Sequence, residues 1–444
     1  MLELLGISYV LWEARSGIDE ADGAGVGLMP NGLRILDQLG LFEDVHKHDS
    51  PHHSWEYRDA DGTTYQTLTA MKALKTEYNY SLPLLADQVA DPAVPFRLGY
   101  ELTFMERREL LEILYQSIKD KSRITFSKKV SDVLTSDTSA TIIATDGSQV
   151  QCGFVAGADG VRSVVRGAIA RETINYQIPP EYLDSNYACV YGVSYALPEI
   201  APGRAITIYR KDISILVFSG CKGKLVWFLF INLKCSIPLK QGKRYSTQDL
   251  EAFYEQIADV VVTTDVKFAD IYNNRKAAVM TVLEEGITDV WYAGRLFLLG
   301  DAAHKMLPHN AMGASQAMES AACFVNQLMK LQNNTGSGQD SEPEISLADV
   351  QLCLETYAQK RKIRTKPVLN GANMACRCLL KKGPISKAHL SNLVDTTNED
   401  FIGPKLLDFS LAEKLDNWPW DNDRVNYYTR QAYTLNQGMS VASL

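Results

Sequence analysis

The ten residues Arg295-Leu-Phe-Leu-Leu-Gly300-Asp301-Ala302-Ala303-His304 constrain the fold of this chain more than any other stretch. Leu296 to Leu299 is a short apolar run of the kind buried in a parallel sheet. It stops at Gly300-Asp301. From Gly313 onward Ala314, Ala317, Met318, Ala321, Ala322 and Val325 recur at helical spacing. A strand, a Gly-Asp turn and a helix N-terminus together can hold a polyol and an anion. The carboxylate accepts hydroxyls, while backbone N–H groups and the helix dipole face negative charge. An ordinary strand-to-helix connection in an α/β protein has the same pattern, so the rest of the chain must decide.

A second corner of this type follows Phe154-Val-Ala-Gly157. It reads Asp159-Gly160-Val-Arg162-Ser163 and leads into a helix with Val164 and Val165. Near the start, Gly6 reads as a helix C-cap and Ile7 to Trp12 as a strand with Glu13 at its tip. An acidic residue at the end of a second Rossmann strand binds the ribose of an adenine nucleotide, although an isolated surface carboxylate would look the same. Such a unit needs a Gly-rich strand, turn and helix ahead of this point. The sequence opens in the last turn of that helix, so an N-terminally truncated Rossmann-like unit is expected. Gly23, Gly25, Gly27 and Gly32 then allow close backbone approach to a ligand. Arg107 and Arg108 open a helix with Leu110, Leu111, Leu114 and Ile118 on one face. Cations there oppose the helix dipole, which points to an anionic partner or to a surface ion pair.

Residues 187–275 change character, with β-branched and aromatic runs at 187–191, 205–209, 214–218 and 224–233. They read as a mainly antiparallel sheet inserted into the α/β domain, able to form the apolar wall of a pocket. Asp61-Gly62 marks a hairpin in 55–65. Residues 78–96 lack periodicity and read as an atypical insertion. Val350 to Arg364 reads as a helix, and the aromatic-rich tail carries no catalytic signal. The domain boundaries expected are 1–77, 97–175 and 276–330 for the nucleotide-binding part, 176–275 for the substrate sheet, and 331–444 for a helical C-terminal region.

A length of 444 residues and 46% hydrophobic content suit such a multi-domain globular chain. A net charge of −8 argues against nucleic acid. The eight cysteines include no CxxC pair and suit a reducing compartment. His46, His48, His52 and His53 fit no metal motif and read as a polar surface loop, so no metal is expected. The longest apolar run, Leu225 to Leu233, is too short to cross a membrane. A cytoplasmic location is expected, with peripheral membrane association left open.

With these motifs in order, the chain resembles the FAD-dependent monooxygenases of the aromatic-hydroxylase type. It looks most like the fungal branch acting on terpenoid and meroterpenoid secondary metabolites. The resembling stretches are Tyr9 to Arg15, Gly23 to Gly40, Phe104 to Arg108, Gly157 to Ser163 and Gly300 to Glu319. The resemblance implies FAD as cofactor, NAD(P)H as co-substrate, O2, and an apolar small-molecule substrate that is epoxidised or hydroxylated. It implies that Glu13 holds the adenosine ribose and that Gly27 approaches the flavin through its backbone. Arg107 would contact the FAD near its ribityl–pyrophosphate region, and Asp159 would lie in a motif serving both FAD and NAD(P)H. Asp301 would bind ribityl or ribose hydroxyls, and Ala314 would lie against the cofactor. Tyr209 falls where that branch has a tyrosine proposed as catalytic. An aromatic-ring or quinone-pathway hydroxylase, and a non-catalytic remnant that no longer holds FAD, remain the alternatives. If Glu13 and Asp301 serve one molecule, they must meet at one groove.

Overall fold

The computed structural model describes residues 1–18, 25–50, 52–69, 98–220, 223–335 and 345–442. The segment 78–96, read as an insertion, lies outside the described residues. The architecture is α/β, with an inserted sheet and a helical C-terminal region. A parallel pair, Val155–Gly157 with Leu296–Leu298, is extended antiparallel by Tyr292–Ala293. All three residues of Leu296–Leu298 are buried, as their apolar run requires. Leu11–Trp12 pairs in parallel with Ile124–Thr125. This strand is shorter than the Ile7 to Trp12 expected, because its partner is itself only two residues long; Glu13 N–H adds one bond to the Thr125 carbonyl.

The largest sheet has seven strands. Arg204–Tyr209, Ile213–Ser219, Lys224–Ile237, Ser185–Tyr195 and Arg275–Leu283 follow one another antiparallel. The hairpin Ser54–Asp59 and Thr64–Leu68 joins the other edge, with Ser54–Asp59 parallel to Arg204–Tyr209. The sheet therefore draws strands from both sides of the 176–275 segment. Strand alternation gives it two distinct faces. Ile206, Ile208, Ile215, Val217, Trp227 and Leu229 point to one face and are buried against Leu250, Phe268 and Ile271. The register sends Tyr57, Thr207, Leu216, Phe228, Tyr191 and Val279 across the other face in a single row. Phe104 stacks on Phe218 of that face with ring centroids 4.3 Å apart. The strand Thr103–Glu106 is thereby laid against the sheet.

His52 departs from the surface loop expected. It is buried edge-on against the stacked pair of Phe104 and Phe218. Burial pushes its imidazole down to about 4. The helix expected over 350–364 runs instead from Leu347 to Leu379, straight through Pro367. Proline removes one backbone hydrogen bond there. The loss is outweighed by burial on both sides of it, at Tyr357, Arg361, Val368, Ala372 and Cys376.

Candidate active site

Two acid corners stand at adjacent strand ends. Gly157 and Leu298 are register partners, so Asp159 and Asp301 emerge at the same edge of the parallel pair. Arg166 ties the corners together, because its Nη1 donates to the Ala302 carbonyl at 3.0 Å. Asp159 is used locally. Its Oδ2 accepts from the N–H groups of Val164 (2.7 Å) and Val165 (3.3 Å) and so helps Ser163, the N-cap residue, to cap the helix Val164–Glu172. Asp301 Oδ2 accepts from Lys305 Nζ at 2.8 Å.

Arg107 begins the helix Arg107–Ser117 directly after the strand that stacks on the large sheet. Burial lowers its guanidinium below the usual arginine range, as does neighbouring Arg15; Asp301, Glu13 and Tyr191 act in the opposite sense. Glu13, Asp301 and the Tyr191 phenol of the sheet face thus all lie within electrostatic reach of one cation. The Glu13 carboxylate is oriented by accepting from the Arg15 N–H at 2.9 Å.

Small residues bring the surrounding backbone close. A Cβ on Gly27 would lie 2.8 Å from the Ala311 Cβ, and one on Gly32 would lie 2.6 Å from Ser315 Oγ. Gly27 therefore lets the strand Gly25–Leu28 approach the 308–312 turn. Ala311 itself sits at φ 51°, in the left-handed region that favours glycine. Ala314 is the second residue of the helix Gly313–Thr335. Behind that turn, a buried network fixes the helix. Glu319 Oε2 accepts from Arg361 Nη1 (2.7 Å) and Arg364 Nε (3.1 Å), and Oε1 accepts from Asn31 Nδ2 (2.6 Å) and Gln316 Nε2 (2.9 Å). Burial raises the Glu319 carboxyl, but the two guanidinium groups override it and hold it down at about 2.

Tyr209 does not join the acid corners. It lies at the end of the strand Arg204–Tyr209, 2% exposed, among Tyr57, Tyr65 and His389. Its hydroxyl is 3.0 Å from His389 Nε2. Beside it, Asp59 accepts from Tyr65 and, at 2.6 Å, from Lys381. On the same face His309 packs on Phe230 at 4.0 Å, with both ring nitrogens unpartnered among the described residues. Sequence reasoning missed Arg15, Lys305, Tyr191 and His389. Arg15 and Lys305 lie two and four residues after the acids they accompany, a spacing the sequence displays; His389 carries no local signal.

These groups fit a flavin adenine dinucleotide. Glu13 and Asp301 offer carboxylates for hydroxyls, and Arg107 offers a cation for phosphate; Gly27 serves the approach of strand and turn, its Cα side being closed by Ala311. Among the described residues there is no cluster of metal-ligating side chains, and no helix is long and apolar enough to cross a membrane. A family model described as an FAD binding domain matches residues 1–179 and 235–342. The FAD-dependent monooxygenase olcE of Penicillium canescens is 31% identical over 383 residues, 85% of this chain and 77% of that protein. The FAD-dependent monooxygenase cdmI of Talaromyces verruculosus is 32% identical over 387 residues, 86% of this chain and 76% of that protein. Klebsiella pneumoniae HpxO, solved with FAD and uric acid, superposes with a TM-score of 0.69 at 19% identity, covering 93% of this chain and 92% of that one. A salicylate hydroxylase substrate complex gives 0.64 at 19% identity, covering 92% and 90%. Both share the fold. By its domain and its relatives, this chain belongs to the FAD-dependent monooxygenases.

Proposed function

We propose that the enzyme uses NAD(P)H and O2 to epoxidise or hydroxylate an apolar, terpenoid-type small molecule in secondary-metabolite biosynthesis. The observation that carries this reading is the row Tyr57, Thr207, Leu216, Phe228, Tyr191, Val279 across one sheet face. Leu216, Phe228 and Val279 are hydrocarbon, Tyr57, Thr207 and Tyr191 add aromatic or methyl surface with one hydroxyl each, and the Tyr191 phenol feels the charge of Arg107. In this reading residues 1–77 apart from the 54–68 hairpin, 97–175 and 276–330 carry the cofactor. Residues 176–275, with the 54–68 hairpin, carry the substrate wall, and 331–444 brace both.

The flavin, once reduced by the nicotinamide, supplies the activation of O2. The chain's own groups do the rest. Glu13 takes the adenosine ribose hydroxyls, Asp301 takes ribityl hydroxyls, and Arg107 neutralises phosphate. Asp159 acts indirectly, by capping a helix so that the corner beside Asp301 keeps its shape. Ala314 lets backbone reach the ring, and Gly27 lets the strand close on the turn before it. The sheet face excludes water and orients the substrate. Tyr209, whose phenol burial holds above its usual range, stays protonated and donates a hydrogen bond or proton to the substrate oxygen.

The test combines purified protein and FAD with NADPH or NADH and a panel of prenylated and terpenoid alkenes beside salicylate-type phenols. O2 uptake and products one oxygen heavier are followed. Oxygenation of the alkenes supports the reading. Turnover of phenols alone would replace it with an aromatic-ring hydroxylase. A chain that stays colourless after added FAD would be a non-catalytic remnant.

A further inference from the structure

Lys305 stands at the Asp301 corner without a role in the assignments above. Its backbone pairs with Gly286 in the short ladder Gly286–Ile287 with His304–Lys305. Alternation along that strand turns His304 into the core, where its Nε2 meets Ser320 Oγ at 2.8 Å. Lys305 is sent to the opposite side, where its Nζ lies 2.8 Å from Asp301 Oδ2. The Lys305 side chain is only 24% exposed, and its backbone is fixed on both sides of the turn. This is more order than an exposed ion pair between two long side chains normally has.

The charges around the corner are not balanced. Arg15, Arg107 and Lys305 are cations, and Glu13 and Asp301 are the carboxylates they accompany. With Asp159 at the adjacent strand end and Arg166 tying the two corners, four cations stand against three carboxylates, which leaves room for an anion. Asp301 Oδ1 takes no hydrogen bond from the described residues, so hydroxyls can reach it while Oδ2 keeps Lys305 in place. We propose that Lys305 is an anion-receiving residue of the cofactor site, its ammonium held at Asp301 to meet a phosphate of the bound dinucleotide. This rests on the reading that Asp301 lines the flavin site. The same cation serves a second purpose, since it neutralises the Asp301 carboxylate that would otherwise repel that phosphate.

The experiment titrates the full-length apoprotein with FAD, FMN and riboflavin, following quenching of flavin fluorescence. Lys305→Met keeps the side-chain length and removes the charge; Lys305→Arg keeps the charge. Lys305→Met is expected to weaken FAD and FMN by about tenfold, the loss of one charge-assisted hydrogen bond. It should leave riboflavin within about twofold, because riboflavin has no phosphate. Lys305→Arg should restore FAD and FMN binding. Unchanged FAD and FMN affinity in Lys305→Met would overturn the proposal. So would an equal loss for all three flavins, which would make Lys305 only a support for Asp301. If the Met variant melts early, Lys305→Gln takes its place. Asp301→Asn is the control for the underlying reading: if it too leaves all three flavins unaffected, the flavin does not sit at this corner, and the fault lies there rather than with Lys305.

Discussion

The Tyr209 hydroxyl lies 3.0 Å from Nε2 of His389, joining the substrate sheet to the helix Pro384–Leu393. Burial lowers the imidazole and raises the phenol, so both are neutral near pH 7. Donation from Tyr209 to the substrate requires the neutral tautomer with the proton on Nε2, which donates to the phenol oxygen and leaves the phenol proton for the substrate. Tyr209→Phe is expected to cut oxygenated product by about 100-fold, the size of one acid–base contribution. FAD affinity should stay unchanged. His389→Phe should reproduce much of that loss, and His389→Gln should recover part of it. Product formation on the substrate found by the panel assay measures all three.

Glu13 and Asp301 are 288 positions apart in the sequence, and Arg107 feels the charge of both. Residues acting through one partner are not additive. Arg107→Met and Asp301→Asn should each weaken FAD by about tenfold or more. The double variant should lose less than the product of the two. Fluorescence titration with a double-mutant cycle reads this, and strict additivity would mean that the two residues serve different groups.

Glu319 is fully buried between Arg361 and Arg364. Replacing one member of a buried ion pair leaves an uncompensated charge, at a cost of about 3–5 kcal/mol. Glu319→Gln is expected to fall in that range in urea unfolding. Because the Glu319 carboxyl titrates lower in the folded state than in the unfolded chain, its stabilisation is complete above the ordinary carboxylate range. It is lost as pH falls through about 2.

An earlier acid limb comes from the buried imidazole of His304. Burial, and then Arg361, push it down to about 4. Between the ordinary histidine range near 6.5 and about 4, the unfolded chain binds a proton that the folded chain refuses. Stability should therefore decline as pH falls across that window. Thermal melts from pH 7 to 4 should show the slope, and His304→Gln should make it shallower, with His52 and His309, whose imidazoles burial likewise holds down, supplying part of the remainder.

Gly27 and Ala311 confront each other across the strand and the turn. Gly27→Ala is expected to destabilise by about 1–3 kcal/mol, as overpacking does. Gly27→Ala with Ala311→Gly should recover much of that loss, since the second change removes both the facing methyl and the strained φ. Denaturant midpoints of the single and double variants decide it.

The acid corners were legible because strand, turn and helix are consecutive in sequence, and each residue type has a local reason to be there. The Asp61-Gly62 hairpin was legible for the same reason. What the hairpin pairs with was not. Ser54–Asp59 finds Arg204–Tyr209 across about 150 residues, and register at that distance leaves no local trace. His52 is polar by composition, and only the two phenyl rings that the fold brings around it make it a core residue. The continuation of the Val350 to Arg364 helix through Pro367 has no local signal, because only tertiary burial lets a helix run past a proline. Asp159 was placed at the right edge, but its carboxylate caps a helix, a duty the motif alone does not reveal.

At 33 residues, the helix Leu347–Leu379 is about 50 Å long. Arg361 anchors its middle in the core behind the Gly313–Thr335 helix, while Ala372 and Cys376 press on Phe230 and Cys189 of the large sheet. One continuous beam thus spans both halves of the molecule. In the proposed reading the spacing between the cofactor side and the sheet face is tied to this one helix, so admission of a bulky guest falls to parts that it does not clamp.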